Sequence, residues 1–429
     1  MSDEPAGLRP SLGLFQATMA GVGIILGAGI YVLVGEAAGE AGGATWLAFV
    51  LAGGAALLTG LSYAELASLF AHDAGEVIYV EHAFGPRSAL LVGIVALATQ
   101  VLTAAVVALG FGAYLARITG APVVPLALAI CAASSLVSFV GVGVAAWLNT
   151  AFTIIESAGL LIIIAIGLPS VGGADLLSTP AGAPGLLHGA ALVFFAYIGF
   201  ESVIKLAEET HEPTRTIPRA IVLSIAISTL LYIAVAVAAV STLGWRELAA
   251  SSAPLADVAA HALGGGALVL LAVIALFSTA NTVLMSLLAA SRGLYGLADR
   301  APRLGAFARV HPRTRTPGRA IVAVALLAVP LVLARDLALI AELGNFSIFV
   351  MYALVDLAVI RLRLREPARP RGFRVPGSVA GVPVLPILAL VALLALLVGL
   401  RVEVLLGGSL ALALVGGAVA LLGRARPGG

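Results

Sequence analysis

Gly21-Val22-Gly23-Ile24-Ile25-Leu26-Gly27-Ala28-Gly29-Ile30-Tyr31-Val32-Leu33 is an apolar stretch broken up by glycine. A helix that only anchors a chain in lipid needs no such interruption. Glycine lets a helix unwind, and the N–H and C=O groups of an unwound turn find no partner in hydrocarbon. Such a break is tolerated where it faces protein or a water-filled cavity. A second interrupted stretch, Phe194-Phe195-Ala196-Tyr197-Ile198-Gly199-Phe200-Glu201-Ser202, lies far downstream. Breaks at corresponding places in two halves of a chain point to a binding site at mid-membrane.

The composition supports a membrane setting. The chain has 429 residues, 61% of them hydrophobic and 11% charged, with a mean hydropathy of +1.11. Soluble domains carry about 25% charged residues, so the chain reads as an all-α polytopic membrane protein. The net charge of +2 selects no partner. Cys131 is the single cysteine, lies in an apolar run and reads as a buried thiol. Residues 1–13 are polar, lack a signal-peptide pattern and read as a cytoplasmic N-terminus, so the first span is retained.

A bilayer core needs about 20 apolar residues per helix. The runs predict twelve spans, at 14–36, 44–70, 88–117, 122–142, 147–168, 187–209, 219–243, 266–297, 319–334, 337–361, 380–400 and 402–422. With the N-terminus inside, 20 of the 24 Lys and Arg residues fall on the inner side. The positive-inside rule then places both termini, including residues 423–429, in the cytoplasm, across the cytoplasmic (inner) membrane. Five spans separate the two breaks. Five is odd, so the second block enters from the opposite face. Residues 14–168 and 187–361 become the two halves of a five-plus-five inverted repeat with discontinuous helices 1 and 6. Spans 11 and 12, residues 380–422, fall outside it and are candidates for lipid or oligomer contact.

These motifs resemble the amino acid–polyamine–organocation superfamily, and within it the bacterial permeases similar to cationic amino acid transporters. The resemblance rests on Gly23 to Tyr31, on Leu61-Ser62-Tyr63-Ala64-Glu65-Leu66-Ala67, and on Phe194 to Phe200 followed by Ala207-Glu208-Glu209 and Arg215-Thr216-Ile217-Pro218-Arg219. Ala290-Ser291-Arg292-Gly293-Leu294-Tyr295 and Phe373-Arg374-Val375-Pro376 extend it to span 11. It departs at Gly141 to Trp147, uncharged where the family carries a basic residue. The resemblance implies the inverted-repeat fold, alternating access, and an amino acid or amine as cargo.

A mechanism follows from the broken helices. Unwinding of span 1 near Gly27, Ala28 and Gly29 starts an outer half-helix whose first amides, on Ala28, Gly29 and Ile30, aim at one point. Free N–H groups at a positive helix terminus suit an α-carboxylate. The outer half of span 6 ends near Phe195–Ala196, and carbonyls on Phe195, Ala196 and Ile198 at a negative terminus suit an α-ammonium. Close helix packing through small residues is the alternative use of these glycines. Tyr197, Phe195 and Phe200 are candidates to line or gate the cavity.

Charge inside a membrane costs several kcal/mol unless neutralised or paired. Glu156, inside span 5, is therefore a candidate proton carrier; permanent hydrogen bonding to the unwound backbone of span 1 is the alternative. Sodium coupling is a further possibility, with Glu156, Ser278 and Thr279 as oxygen ligands. Glu201 is a candidate cap of the inner half-helix of span 6 or a proton relay. Lys205 stands four residues further on, so the two can pair on one face, or the lysine can snorkel. Glu65 and Asp356 are expected to pair with cytoplasmic arginines, and Asn281 and Asn345 to act as polar glue. Span 3 carries no acid, which tilts the cargo toward neutral amino acids.

No phosphate-binding loop occurs, the six histidines lack metal-ligand spacing, and no nucleophile cluster is present. The chain is expected to be no enzyme and to need no cofactor, metal or nucleic acid. The expected function is secondary active transport of amino acids, with a proton, or alternatively sodium, as coupling ion. Obligatory exchange, polyamine transport and non-transporting amino acid sensing are the rivals. The oligomeric state is left open.

Overall fold

A computed structural model describes residues 12–70, 75–300, 302–379 and 381–422. The two terminal segments assigned to the cytoplasm therefore lie almost entirely outside the described residues. Sixteen α-helices follow one another. They are α1 (Leu14–Ile25), α2 (Ala28–Ala41), α3 (Thr45–Leu69), α4 (Glu76–Phe84), α5 (Pro86–Thr119), α6 (Val123–Val140), α7 (Val142–Gly167) and α8 (Gly182–Val193). There follow α9 (Pro213–Leu243), α10 (Trp245–Ala250), α11 (Pro254–Leu263), α12 (Gly265–Arg300), α13 (Gly318–Ala334), α14 (Leu337–Arg365), α15 (Val384–Val398) and α16 (Val402–Leu422). The short strands β1 (Ser378–Val379) and β2 (Val382–Pro383) form an antiparallel hairpin with Val379 opposite Val382. Among the described residues, nine helical runs are long and apolar enough to cross a membrane, beside the shorter apolar helices α1, α13 and α15.

Local chemistry sets the helix ends. Pro86 opens α5 in the first turn, where a missing N–H costs nothing, and Gly120 closes it at φ +72°. The Asp336 side chain caps α14 by accepting from the Leu339 amide at 2.9 Å. The expected spans at 44–70, 88–117, 147–168, 219–243 and 337–361 coincide with α3, α5, α7, α9 and α14. The expected span 14–36 is instead two helices, α1 and α2, parted at Leu26–Gly27. The run 187–209 is also divided. After α8 come tight 3₁₀ turns at Phe194–Tyr197 and Phe200–Glu209, parted at Ile198–Gly199. The second half of this run is 3₁₀ rather than α-helical, a distinction that apolar periodicity does not carry. Helices α4, α10 and α11 occupy stretches that the span pattern leaves as connections.

The two broken elements sit side by side at the centre. The most apolar 18-residue window of Gly182–Ile204 is 72% buried, against 17% for that of Val402–Ala420 in α16. The order of their contacts runs antiparallel, beyond a local parallel bridge between Leu12 and Thr210. A Cβ on Gly21 would meet Val203, one on Gly29 would meet Ala196, and one on Gly189 would meet Ala41. Rising numbers on one element thus face falling numbers on the other.

Candidate functional site

The breaks meet where backbones touch. A Cβ on Gly29 would stand 2.6 Å from the Cα of Ala196, a separation no side chain permits. Gly199 has φ +126° and packs against the Ile24 carbonyl. Both demands are met by glycine alone.

Three neighbouring helices hold the exposed backbone. From α9, the Tyr232 hydroxyl lies 2.7 Å from the Ile25 carbonyl and 3.0 Å from the Ala196 carbonyl, so it spans both breaks. From α12, Thr282 Oγ1 accepts the Ala28 amide at 3.2 Å. From α14, the Asn345 amide donates to the carbonyls of Ala191 at 2.6 Å and Leu192 at 3.2 Å, just before the second break. The expected picture of three open amides and three open carbonyls is therefore narrower. The Ala28 amide and the Ala196 carbonyl are engaged by protein. Gly29 and Ile30 keep first-turn amides, for which a helix supplies no partner. Phe195 offers its carbonyl to the Ile198 amide at 3.3 Å.

The aromatic residues divide. Tyr197 is fully buried, donates to the Phe49 carbonyl at 2.9 Å and crosses Tyr232 edge to face, fixed between α3 and α9. Phe200 packs edge to face on Tyr63. Phe195 lies instead with Val32, Val101 and Ile340 in a second apolar cluster.

Glu156 on α7 reaches the first break. It is 1% exposed, and its carboxyl lies beside the hydroxyls of Ser278 and Thr153 with no charged partner among the described residues. Its backbone carbonyl accepts the Tyr31 hydroxyl at 2.7 Å, and Tyr114 donates in turn to the Tyr31 carbonyl at 2.8 Å. The Ser278 hydroxyl is likewise buried, against this carboxyl. The Thr279 hydroxyl donates to the Ala275 carbonyl of its own helix at 2.7 Å. Glu201 accepts the Gly199 amide at 2.9 Å and the Tyr352 hydroxyl at 2.7 Å, the geometry of a cap. The Lys205 side chain, and its expected pairing with Glu201, lie outside the described residues.

Two polar clusters tie the ends of the bundle. At one end Glu65 accepts from the Arg363 guanidinium through both oxygens and from the Val375 amide at 2.8 Å, with Arg371 Nε at 3.1 Å. Burial lowers the pKa of the Arg371 guanidinium, and the Glu65 carboxylate opposes that shift. At the other end, the His188 ring nitrogens face Glu40 at 3.2 Å and Glu342 at 3.1 Å, while Arg401 Nε donates to Glu342 at 2.6 Å. Glu65 thus pairs with arginines. Asp356 does not: it is fully buried and accepts from Thr59 at 3.2 Å. Tyr232 and Thr282 escape sequence reading. Each is one polar side chain in an apolar helix, and only the tertiary approach of the breaks gives it a role.

The family model described as "Amino acid permease" matches residues 12–417. The branched-chain amino acid permease BcaP of Bacillus subtilis is 28% identical over 403 residues, covering 88% of this chain and 85% of its own. The methylthioribose transporter of the same organism is 30% identical over 404 residues, covering 88% and 86%. Human cationic amino acid transporter 4 is 31% identical over 420 residues, covering 91% of this chain and 65% of its own.

Proposed function

The chain belongs to the amino acid permease family, and from that premise we propose that it is a secondary active transporter that moves amino acids by alternating access. One observation carries the reading: two broken elements lie antiparallel and touch at their breaks, at Gly29 and Ala196. Antiparallel passage is what an inverted repeat produces, so the pairing supports twelve spans in a five-plus-five arrangement. The excess of Lys and Arg on one side of the spans supports cytoplasmic termini. The names of the relatives support amino acid cargo.

The amides of Gly29 and Ile30, at the positive terminus of α2, bind the α-carboxylate. Carbonyls of Phe195 and Ile198 at the second break bind the α-ammonium. Rocking of the halves moves access from one face to the other. Glu156, buried on α7 with hydroxyls but no counter-charge beside it, carries the coupling proton, and its charge state biases the conformational equilibrium. In the sodium alternative the ion takes the same carboxyl with the hydroxyl oxygens of Ser278 and Thr279.

Uptake of a mixed set of radiolabelled amino acids into proteoliposomes, under an inward proton gradient without sodium, tests the proposal. Accumulation abolished by a protonophore is the expected result and names the cargo. Uptake that requires internal amino acid marks an exchanger. Binding without uptake would replace transport by sensing.

A further inference from the structure

Between α12 and α13 the chain forms a basic loop. Residues 302–319 contain Arg303, Arg309, Arg313, Arg315 and Arg319 and no acid. The loop is internally bonded. The His311 amide donates to the Thr316 carbonyl at 2.8 Å, and the Arg315 amide to the His311 carbonyl at 2.9 Å. It is also seated on the end of α6. Buried Thr316 donates to the Phe139 carbonyl at 3.0 Å, and the Phe139 ring stands 5.2 Å from the His311 imidazole. The segment is held in place before anything binds it.

Beside it opens a cavity of about 680 Å³. Phe139, Phe307, Val322 and Leu326 give it apolar walls, and Arg309 and Arg319 line it with charge. Both arginines are exposed, and neither has a carboxylate partner among the described residues. The lining is graded along α13: Arg319 at its start, Val322 one turn in, Leu326 two turns in. At 1.5 Å per residue that grade covers roughly 10 Å. Val322 and Leu326 are 56% and 64% exposed, so the apolar side opens outward from the bundle. Charge at the helix start and hydrocarbon deeper in is the profile of one lipid molecule, headgroup then chain. A small anion would need the arginines and not the apolar wall.

We propose that this cavity binds one anionic phospholipid, with its phosphate between Arg309 and Arg319 and an acyl chain along Val322 and Leu326. The proposal rests on the helices spanning a bilayer and is independent of the cargo.

Native mass spectrometry of the full chain in neutral detergent, with equimolar dioleoyl phosphatidylglycerol and dioleoyl phosphatidylcholine, tests it. The expected preference for the anionic lipid is roughly fivefold per arginine, or roughly 25-fold for the pair. Arg309→Gln with Arg319→Gln should bring the ratio close to one, and the paired Lys substitutions should keep most of it. Leu326→Trp should reduce retention of both lipids. Equal retention by the unaltered protein, or a preference that survives the Gln pair, overturns the proposal. Displacement of phosphatidylglycerol by excess inorganic phosphate also overturns it, by marking a free-anion site. Amino acid binding by the Gln pair, measured alongside, should be unchanged, so failure of lipid binding and failure of the transport reading give separate signals.

Discussion

Glu65 and Glu156 are buried to the same degree, each 1% exposed, and their surroundings could hardly differ more. Glu65 faces two arginines and a backbone amide. Glu156 has only the hydroxyls of Ser278 and Thr153 beside it and no charged partner among the described residues. A buried carboxylate with charged partners is a fastening: removing one side strands the other. A buried carboxyl with hydroxyl neighbours alone has no counter-charge to hold, and ionised it would cost several kcal/mol. Equal burial therefore conceals opposite functions, and the donors around each acid separate them. The first joins α3 to α14 and the segment beyond it. The second waits beside an opened helix.

Three substitutions test that contrast. Glu65→Ala leaves Arg363, 2% exposed, without its partner; the expected loss of stability is about 3–5 kcal/mol. Thermal unfolding in detergent reads it, and an unchanged midpoint would remove the fastening role. Arg371→Met deletes the lesser contact while Arg363 stays in place, and about 1–2 kcal/mol should be lost in the same assay. Glu156→Gln should change stability least, by under about 1 kcal/mol. In proteoliposomes it should abolish proton-driven accumulation. A protein both strongly destabilised and still driven by protons would reverse the assignment of the two acids.

The sequence showed the helices and hid the partners. Apolar runs located α3, α5, α7, α9 and α14, because a helix in lipid must carry some 20 apolar residues wherever it packs. Glycines marked both breaks, because backbone contact at Gly29 excludes any side chain. Glu156 stood out as an acid in an apolar run. Partner identity was another matter. Asp356 was expected beside an arginine and lies against Thr59 on α3, a choice made by the packing of α14. The Ala28 amide was expected to be open and is held by Thr282, more than 250 residues away. Such pairings depend on which helices approach, and a single sequence carries no periodicity for that. The 3₁₀ form of Phe200–Glu209 was missed for the same reason, since it is set by what the turn packs against.

Tyr232 has a consequence of its own. A phenol has one proton to give, and two carbonyls, on Ile25 and Ala196, stand within its reach. They belong to the two broken elements, one on each side of the contact. If one carbonyl withdraws, the proton goes wholly to the other. A continuous displacement of two helices is thereby converted into a discrete allegiance, and the ring keeps a one-bit record of which element it still holds.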